Sequence, residues 1–228
     1  MSDTEPLRLV VFDVDGTLID SQAHIMTAMT RAFEAVGYPC PPREAVLALV
    51  GLSLAVLMPK LAPDLDEDGH EALVEAYKNS FADIRMSGNP LETAPLFPGA
   101  REVLDHLLGR EDLLVGIATG KSRRGLDHLL RAHGLTGAFV TEQVADHHPS
   151  KPHPSMLHTA IAETGVAARD AVMVGDTTFD IEMGRAAGLR TIGVGWGYHP
   201  TESLIAAGAD TVIASYSALT PALHKIWE

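Results

Sequence analysis

The sequence predicts an α/β fold: a doubly wound parallel sheet interrupted once by an all-helical insertion. Three observations carry that expectation. Leu9, Val10, Val11 and Phe12 form an unbroken apolar run that stops at an acidic turn, Asp13-Val14-Asp15-Gly16-Thr17. That is the pattern of a strand buried on both faces. From Ala100 onwards, short apolar runs alternate with segments of helical periodicity, as parallel strands joined by helical crossovers do. Between these regions, from Ser21 to Asn89, helical spacing recurs without a convincing strand.

Taken in order, Gln22 to Val36 sets Ile25, Met26, Met29, Phe33 and Val36 at helical spacing. Ser21 is placed to cap that helix and Gly37 to stop it. Tyr38 to Pro42 reads as a loop, followed by helical segments at Arg43 to Leu49, Ser53 to Lys60 and Glu67 to Arg85. Ser87 to Pro98, with Gly88, Pro90, Pro95 and Pro98, reads as a linker. Helices are then expected at Ala100 to Leu108, Ser122 to His133, Pro154 to Thr164, Phe179 to Ala187 and Ser217 to Trp227. Strands are expected at Leu113 to Ala118, Ala138 to Thr141, Ala171 to Val174, Thr191 to Val194 and Thr211 to Ile213. The expected architecture is a Rossmann-like core from residues 1–20 and 90–228, with a helical cap domain from 21–89.

Composition bounds the function. Hydrophobic residues make up 46% of 228 positions, enough to build a sizeable core. The formal net charge of −13 disfavours nucleic acid or an anionic membrane as partner. An anionic small molecule would need local positive charge at its site. The lone Cys40 excludes an internal disulfide and fits a reducing compartment. No apolar run is long enough to span a membrane, and the N-terminus lacks the basic and apolar regions of a secretory signal. A cytoplasmic location is expected.

The chemistry-bearing residues fall at strand ends. In open α/β sheets, ligands bind beyond the carboxyl ends of strands. Asp13 and Asp15 sit at the end of the first strand, and carboxylates so close call for a divalent metal or a retained proton. Gly16 permits a tight turn, and the Thr17 hydroxyl is placed to bond a neighbouring carboxylate. The second strand ends at Thr119-Gly120-Lys121-Ser122, a hydroxyl, an open amide and a helix start that together make an anion cradle. Gly116 to Ser122 imitates a nucleotide-binding P-loop, but only three residues separate Gly116 from Gly120, one too few to wrap a phosphate. Lys151, stiffened by Pro152 and Pro154, is placed to balance Asp13 and an incoming anion. Asp176 ends a later strand, and Asp180 follows one helical turn on, offering hard oxygen ligands of the kind magnesium prefers. His147, His148, His153 and His158 have no zinc-type spacing and read as solvated loop residues.

These four segments, in this order, resemble the haloacid dehalogenase superfamily, in its phosphoglycolate phosphatase-like branch with an inserted (C1-type) helical cap. The resemblance covers nearly the full chain. It implies a magnesium-dependent phosphatase acting on a small phosphorylated molecule, phosphoglycolate-like or a sugar phosphate, as monomer or homodimer. By position, Asp13 would be the nucleophile and Asp15 the acid and base. Thr119 and Gly120 would hold phosphoryl oxygens, and Lys151 would offset negative charge. Asp13, Asp176 and the Asp15 carbonyl would bind Mg2+, supported by Asp180 and Thr17. Asp15 separates this pattern from the superfamily's dehalogenases and ion pumps, while a phosphomutase and, less so, a phosphoacceptor receiver remain as alternatives. Gly51 and Ser53 fall where relatives place a specificity loop, and Arg43, Lys60 and Arg85 are candidate substrate contacts.

Overall fold

The computed structural model describes residues 6–87 and 94–228, without the side chains of 85–87. The boundary near residue 90, part of the expected linker and the Arg85 side chain therefore lie outside the described residues.

Six parallel strands form one sheet: β1 (Arg8–Phe12), β2 (Leu113–Thr119), β3 (Thr141–Val144), β4 (Ala171–Gly175), β5 (Arg190–Val194) and β6 (Thr211–Ile213). Their spatial order is β3-β2-β1-β4-β5-β6. Strand β1 is central because its apolar run satisfies both faces. Val10 and Phe12 join one hydrophobic cluster and Leu9 and Val11 the other, all fully buried. Burying each such side chain stabilises the fold by about 1.5–3 kcal/mol.

Among the described residues, four helices lie between β1 and the rest of the core: α1 (Gln22–Val36), α2 (Arg43–Leu47), α3 (Leu54–Leu61) and α4 (Glu67–Ser87). They bury their apolar stripes on one another, with Met29, Phe33, Met58 and Leu73 at the centre of a separate cluster. After them, α5 (Ala100–Leu108), α6 (Arg123–Ala132) and the C-terminal α10 (Leu219–Trp227) cover one face of the sheet. Helices α7 (Ser155–Thr164) and α8 (Thr178–Ala186) cover the other. Helix α9 (Thr201–Ala207) joins β5 to β6.

Two expectations about the elements need correction. The third strand runs from Thr141 to Val144, not from Ala138 to Thr141. Its buried side chains Thr141 and Gln143 are polar, because Glu163 on α7 accepts hydrogen bonds from both. An edge strand satisfied that way carries no apolar run, whereas the nearby apolar residue, Phe139, plugs the core from a loop. Helix α9 was not expected at all. Seven residues with a single buried side chain, Leu204, give periodicity too little length to register.

Candidate active site

Strand β1 lies between β2 and β4, and the strand order reverses there. The crevice beyond the carboxyl ends of those three strands is thus the expected binding site. Asp13 follows β1, Thr119 closes β2, Asp176 follows β4, and Lys151 arrives from the loop between β3 and α7. All four are at least nine-tenths buried.

Lys151 is the charge at the centre. Its Nζ lies 2.8 Å from Asp13 Oδ1 and 2.7 Å from Asp180 Oδ1. Asp180 is fixed from its other side, where Oδ2 accepts from the Thr177 amide at 3.0 Å and hydroxyl at 2.7 Å, closing a capping box on α8. Asp176 accepts from the Thr17 hydroxyl at 2.8 Å and from the Tyr198 amide at 2.8 Å. Gly16 makes the turn possible: its φ is +83°, and a Cβ there would stand 2.2 Å from Asp176 Oδ2.

Asp13 differs from its neighbours. Lys151 Nζ pairs with Asp13 Oδ1, and the buried Asp13 Oδ2 has no hydrogen-bond partner among the described residues. Single carboxylate oxygens of Asp13, Asp176 and Asp180 lie within 4.8 Å of one another. An orphaned buried oxygen amid clustered carboxylates fits a hard divalent cation.

Asp15 turns away from that cluster. Its carboxylate accepts from Ser21 Oγ and takes both oxygens to Lys121 Nζ, at 2.7 and 2.8 Å. Ser21 precedes α1 without capping it, because its hydroxyl serves Asp15 instead. Asp13 and Asp15 face a common cavity of about 220 Å³, floored by Thr119 and Gly120 and walled by the helical insertion. The insertion touches the core at several points. The Ser53 amide donates to Ser150 Oγ at 2.8 Å, and His199 Nε2 lies 3.1 Å from the Ala48 carbonyl. A Cβ on Gly120 would sit 2.6 Å from the Gly51 carbonyl oxygen, so the two backbones are in contact.

A family model for haloacid dehalogenase-like hydrolases matches residues 10–194. The chain belongs to the haloacid dehalogenase-like hydrolase family. It is 35% identical to a protein of Dickeya dadantii named as a probable phosphatase, IndB, over 96% of this chain and 94% of that one. It is 30% identical to a phosphoglycolate phosphatase of Vibrio parahaemolyticus, over 94% and 95% of the two chains. Among solved structures, a haloacid dehalogenase-like hydrolase from Bacteroides fragilis superposes with a TM-score of 0.84 at 27% identity, covering 93% of this chain and 99% of that one.

Electrostatics in this haloacid dehalogenase-like site follow from burial. Desolvation pushes Asp13 up to about 7, against the opposing pull of Lys151. It lifts Asp176 well above the usual carboxylate range, and Asp180 and Asp13 add to the shift. Lys151 moves the other way: burial alone would lower its pKa, but Asp13 and Asp180 outweigh burial and hold the ammonium protonated.

The structure brings Asp13, Asp15, Thr17, Thr119, Gly120, Lys151, Asp176 and Asp180 to one strand-end crevice. Gly51 lines the cavity, whereas Ser53 does not and instead ties the insertion to the loop before Lys151. Arg43 and Lys60 are exposed and line no part of it. His148 is not a solvated loop residue: it is half-buried between Ser155 Oγ and Gln143 Oε1, both at 2.9 Å. His147, His153 and His158 are exposed. Sequence reasoning missed the role of Lys121. Its position two residues past a strand end, beside a helix start, was the available signal. Tyr198, on the loop after β5, had no signal in the sequence.

Proposed function

We propose that this protein is a magnesium-dependent phosphatase that hydrolyses a small phosphomonoester through an aspartyl-phosphate. The observation that carries the reading is Asp13: a buried carboxylate paired with Lys151 through Oδ1, its Oδ2 free of hydrogen bonds, facing a cavity it shares with Asp15, Thr119 and Gly120. Its relatives' names, a probable phosphatase and phosphoglycolate phosphatases, support a phosphate ester as substrate.

In this reading an Asp13 oxygen attacks phosphorus, and the bond from phosphorus to the leaving oxygen breaks. Asp15 gives that oxygen a proton, then takes one from the water that hydrolyses the acyl phosphate. Lys121 and Ser21 hold the Asp15 carboxylate in place for both steps. Thr119 and the Gly120 amide orient the phosphoryl oxygens, and Lys151 offsets charge on the nucleophile and phosphate. Asp13, Asp176 and the Asp15 carbonyl would hold Mg2+, with Asp180 supporting them. When bound, the ion screens the carboxylates from the phosphoryl group and stabilises charge on its oxygens. Residues 21–89 act as a lid on a core of 1–20 and 90–228, excluding water and selecting the substrate. The contacts of Gly51, Ser53 and Ala48 with the core support a closed arrangement.

The test is steady-state release of phosphate from p-nitrophenyl phosphate with and without MgCl2, alongside intact-mass analysis after acid quench. Many turnovers per protein, abolished by EDTA, are expected, with one added phosphoryl group mapped to Asp13. A single burst with no turnover would favour a phosphoacceptor, and full activity without metal would refute the magnesium assignment.

A further inference from the structure

The cavity above Asp13 has two unlike ends, and on the phosphatase reading the second end describes the alcohol that leaves. The first end is polar, built from Asp13, Asp15, Thr119 and Gly120. The opposite wall comes from the helical insertion, where Leu52, Leu54, Leu57, Tyr77 and Phe81 face the cavity. Leu52 and Leu57 belong to the insertion's own core, so this wall is fixed by packing. The Tyr77 and Phe81 rings stand 5.7 Å apart, a tilted pair presenting apolar surface. The volume of about 220 Å³ is more than a phosphoryl group alone fills.

Positive charge is distributed unevenly around that space. Three cations line it: Lys121, Lys78 and Arg124. Lys121 is committed to both oxygens of Asp15 and lies 5.1 Å from the centroid of the Phe81 ring. Lys78 pairs with Glu75 on the same helix and is 52% exposed, and Arg124 is exposed. Among the described residues, no buried, uncommitted cation faces the insertion's wall. A carboxylate placed there would shed its water for only the solvated charges of Lys78 and Arg124 at the rim and would also face Asp15. An apolar group placed there would gain from leaving water.

We propose that the substrate's leaving group is an uncharged alcohol with an apolar aliphatic or aryl body, seated against Leu52, Leu57 and Phe81. A short anionic alcohol such as glycolate does not match this wall. The reading thus separates this chain from the phosphoglycolate substrate named for several of its relatives.

The test compares phosphate release by the magnesium-loaded enzyme from three compounds: 2-phenylethyl phosphate, phosphoglycolate and acetyl phosphate. The first two both release primary alcohols, so their chemistry is matched and the body of the alcohol differs. A kcat/KM for 2-phenylethyl phosphate about tenfold or more above that for phosphoglycolate is expected, expressed mainly in KM. Phe81→Ala should shrink that ratio by removing part of the wall. Ala82→Arg places a guanidinium at a half-buried, cavity-lining position and should shift the ratio towards phosphoglycolate. Acetyl phosphate has almost no organic body and reports the phosphatase chemistry alone. If it turns over while phosphoglycolate equals or exceeds 2-phenylethyl phosphate, the leaving-group inference falls and the phosphatase reading stands. A ratio untouched by both substitutions would also overturn the inference. Phosphate from none of the three would overturn the phosphatase reading, and this inference with it.

Discussion

Replacing Lys151 by Met tests how the site's charges are held. The Lys151 side chain is fully buried, between an Asp13 side chain that is 2% exposed and an Asp180 side chain that is fully buried. Met fills similar space and removes only the charge. Two buried carboxylates then face each other and Asp176 without a cation among them. Breaking a buried ion pair from one side costs about 3–5 kcal/mol. At about 2–4 °C per kcal/mol for a chain of this size, Tm should fall by about 6–20 °C. The loss should be larger at pH 8 than at pH 5, because protonating Asp13 or Asp176 relieves the repulsion. Added MgCl2 should restore part of it by supplying the missing positive charge to the folded state alone. Differential scanning calorimetry across pH, with the exposed Lys60→Met as control, measures all three effects. On the enzymatic side, kcat/KM should fall by about 10²–10³-fold. A Tm within about 2 °C of the parent protein, or unchanged kcat/KM, would refute the reasoning.

Three further outcomes follow from the same geometry. Asp15→Asn removes the proton donor and base but leaves Asp13 intact; general acid–base help is worth about 10²–10⁴-fold. Given acetyl phosphate, this variant should accumulate one phosphoryl group on Asp13 by intact-mass spectrometry, and a label on Asp176 would contradict the mechanism. Without metal, Asp13 and Asp176 keep protons that the unfolded chain releases. Stability is therefore lost as pH rises from the unfolded carboxylate pKa of 3.8 towards the folded value of about 7 for Asp13. The Tm gain on adding MgCl2 should accordingly be greater at pH 8 than at pH 5, and a gain independent of pH would argue against metal binding to these carboxylates. Gly120→Ala drives a methyl group into the Gly51 carbonyl. The circular dichroism spectrum should be retained while kcat/KM falls by about tenfold or more, since misplacement of about 1 Å can cost up to 10²-fold; parental kinetics would show that this contact does not position the lid.

The sequence by itself determined the core of this molecule. Leu9 to Phe12 is apolar at every position, the pattern of a strand covered on both faces, so β1 was legible, while its place in the strand order was not. Asp13, Thr119, Lys151 and Asp176 were legible because each follows or ends a recognisable strand or loop. The direction of a parallel sheet carries all such ends to one edge. The tertiary structure decided what depends on neighbours remote in the chain. The edge strand β3 is polar because Glu163, on a later helix, satisfies Thr141 and Gln143. Asp15 points at Lys121, 106 residues away, rather than into the carboxylate cluster beside it. Leu57 and Phe81, on separate helices, present one wall to the cavity only once the insertion folds over the sheet. Local pattern records what a segment must bury. Which partner completes a charge or a wall is settled by packing, because the groups that meet are held together by burial and not by proximity along the chain.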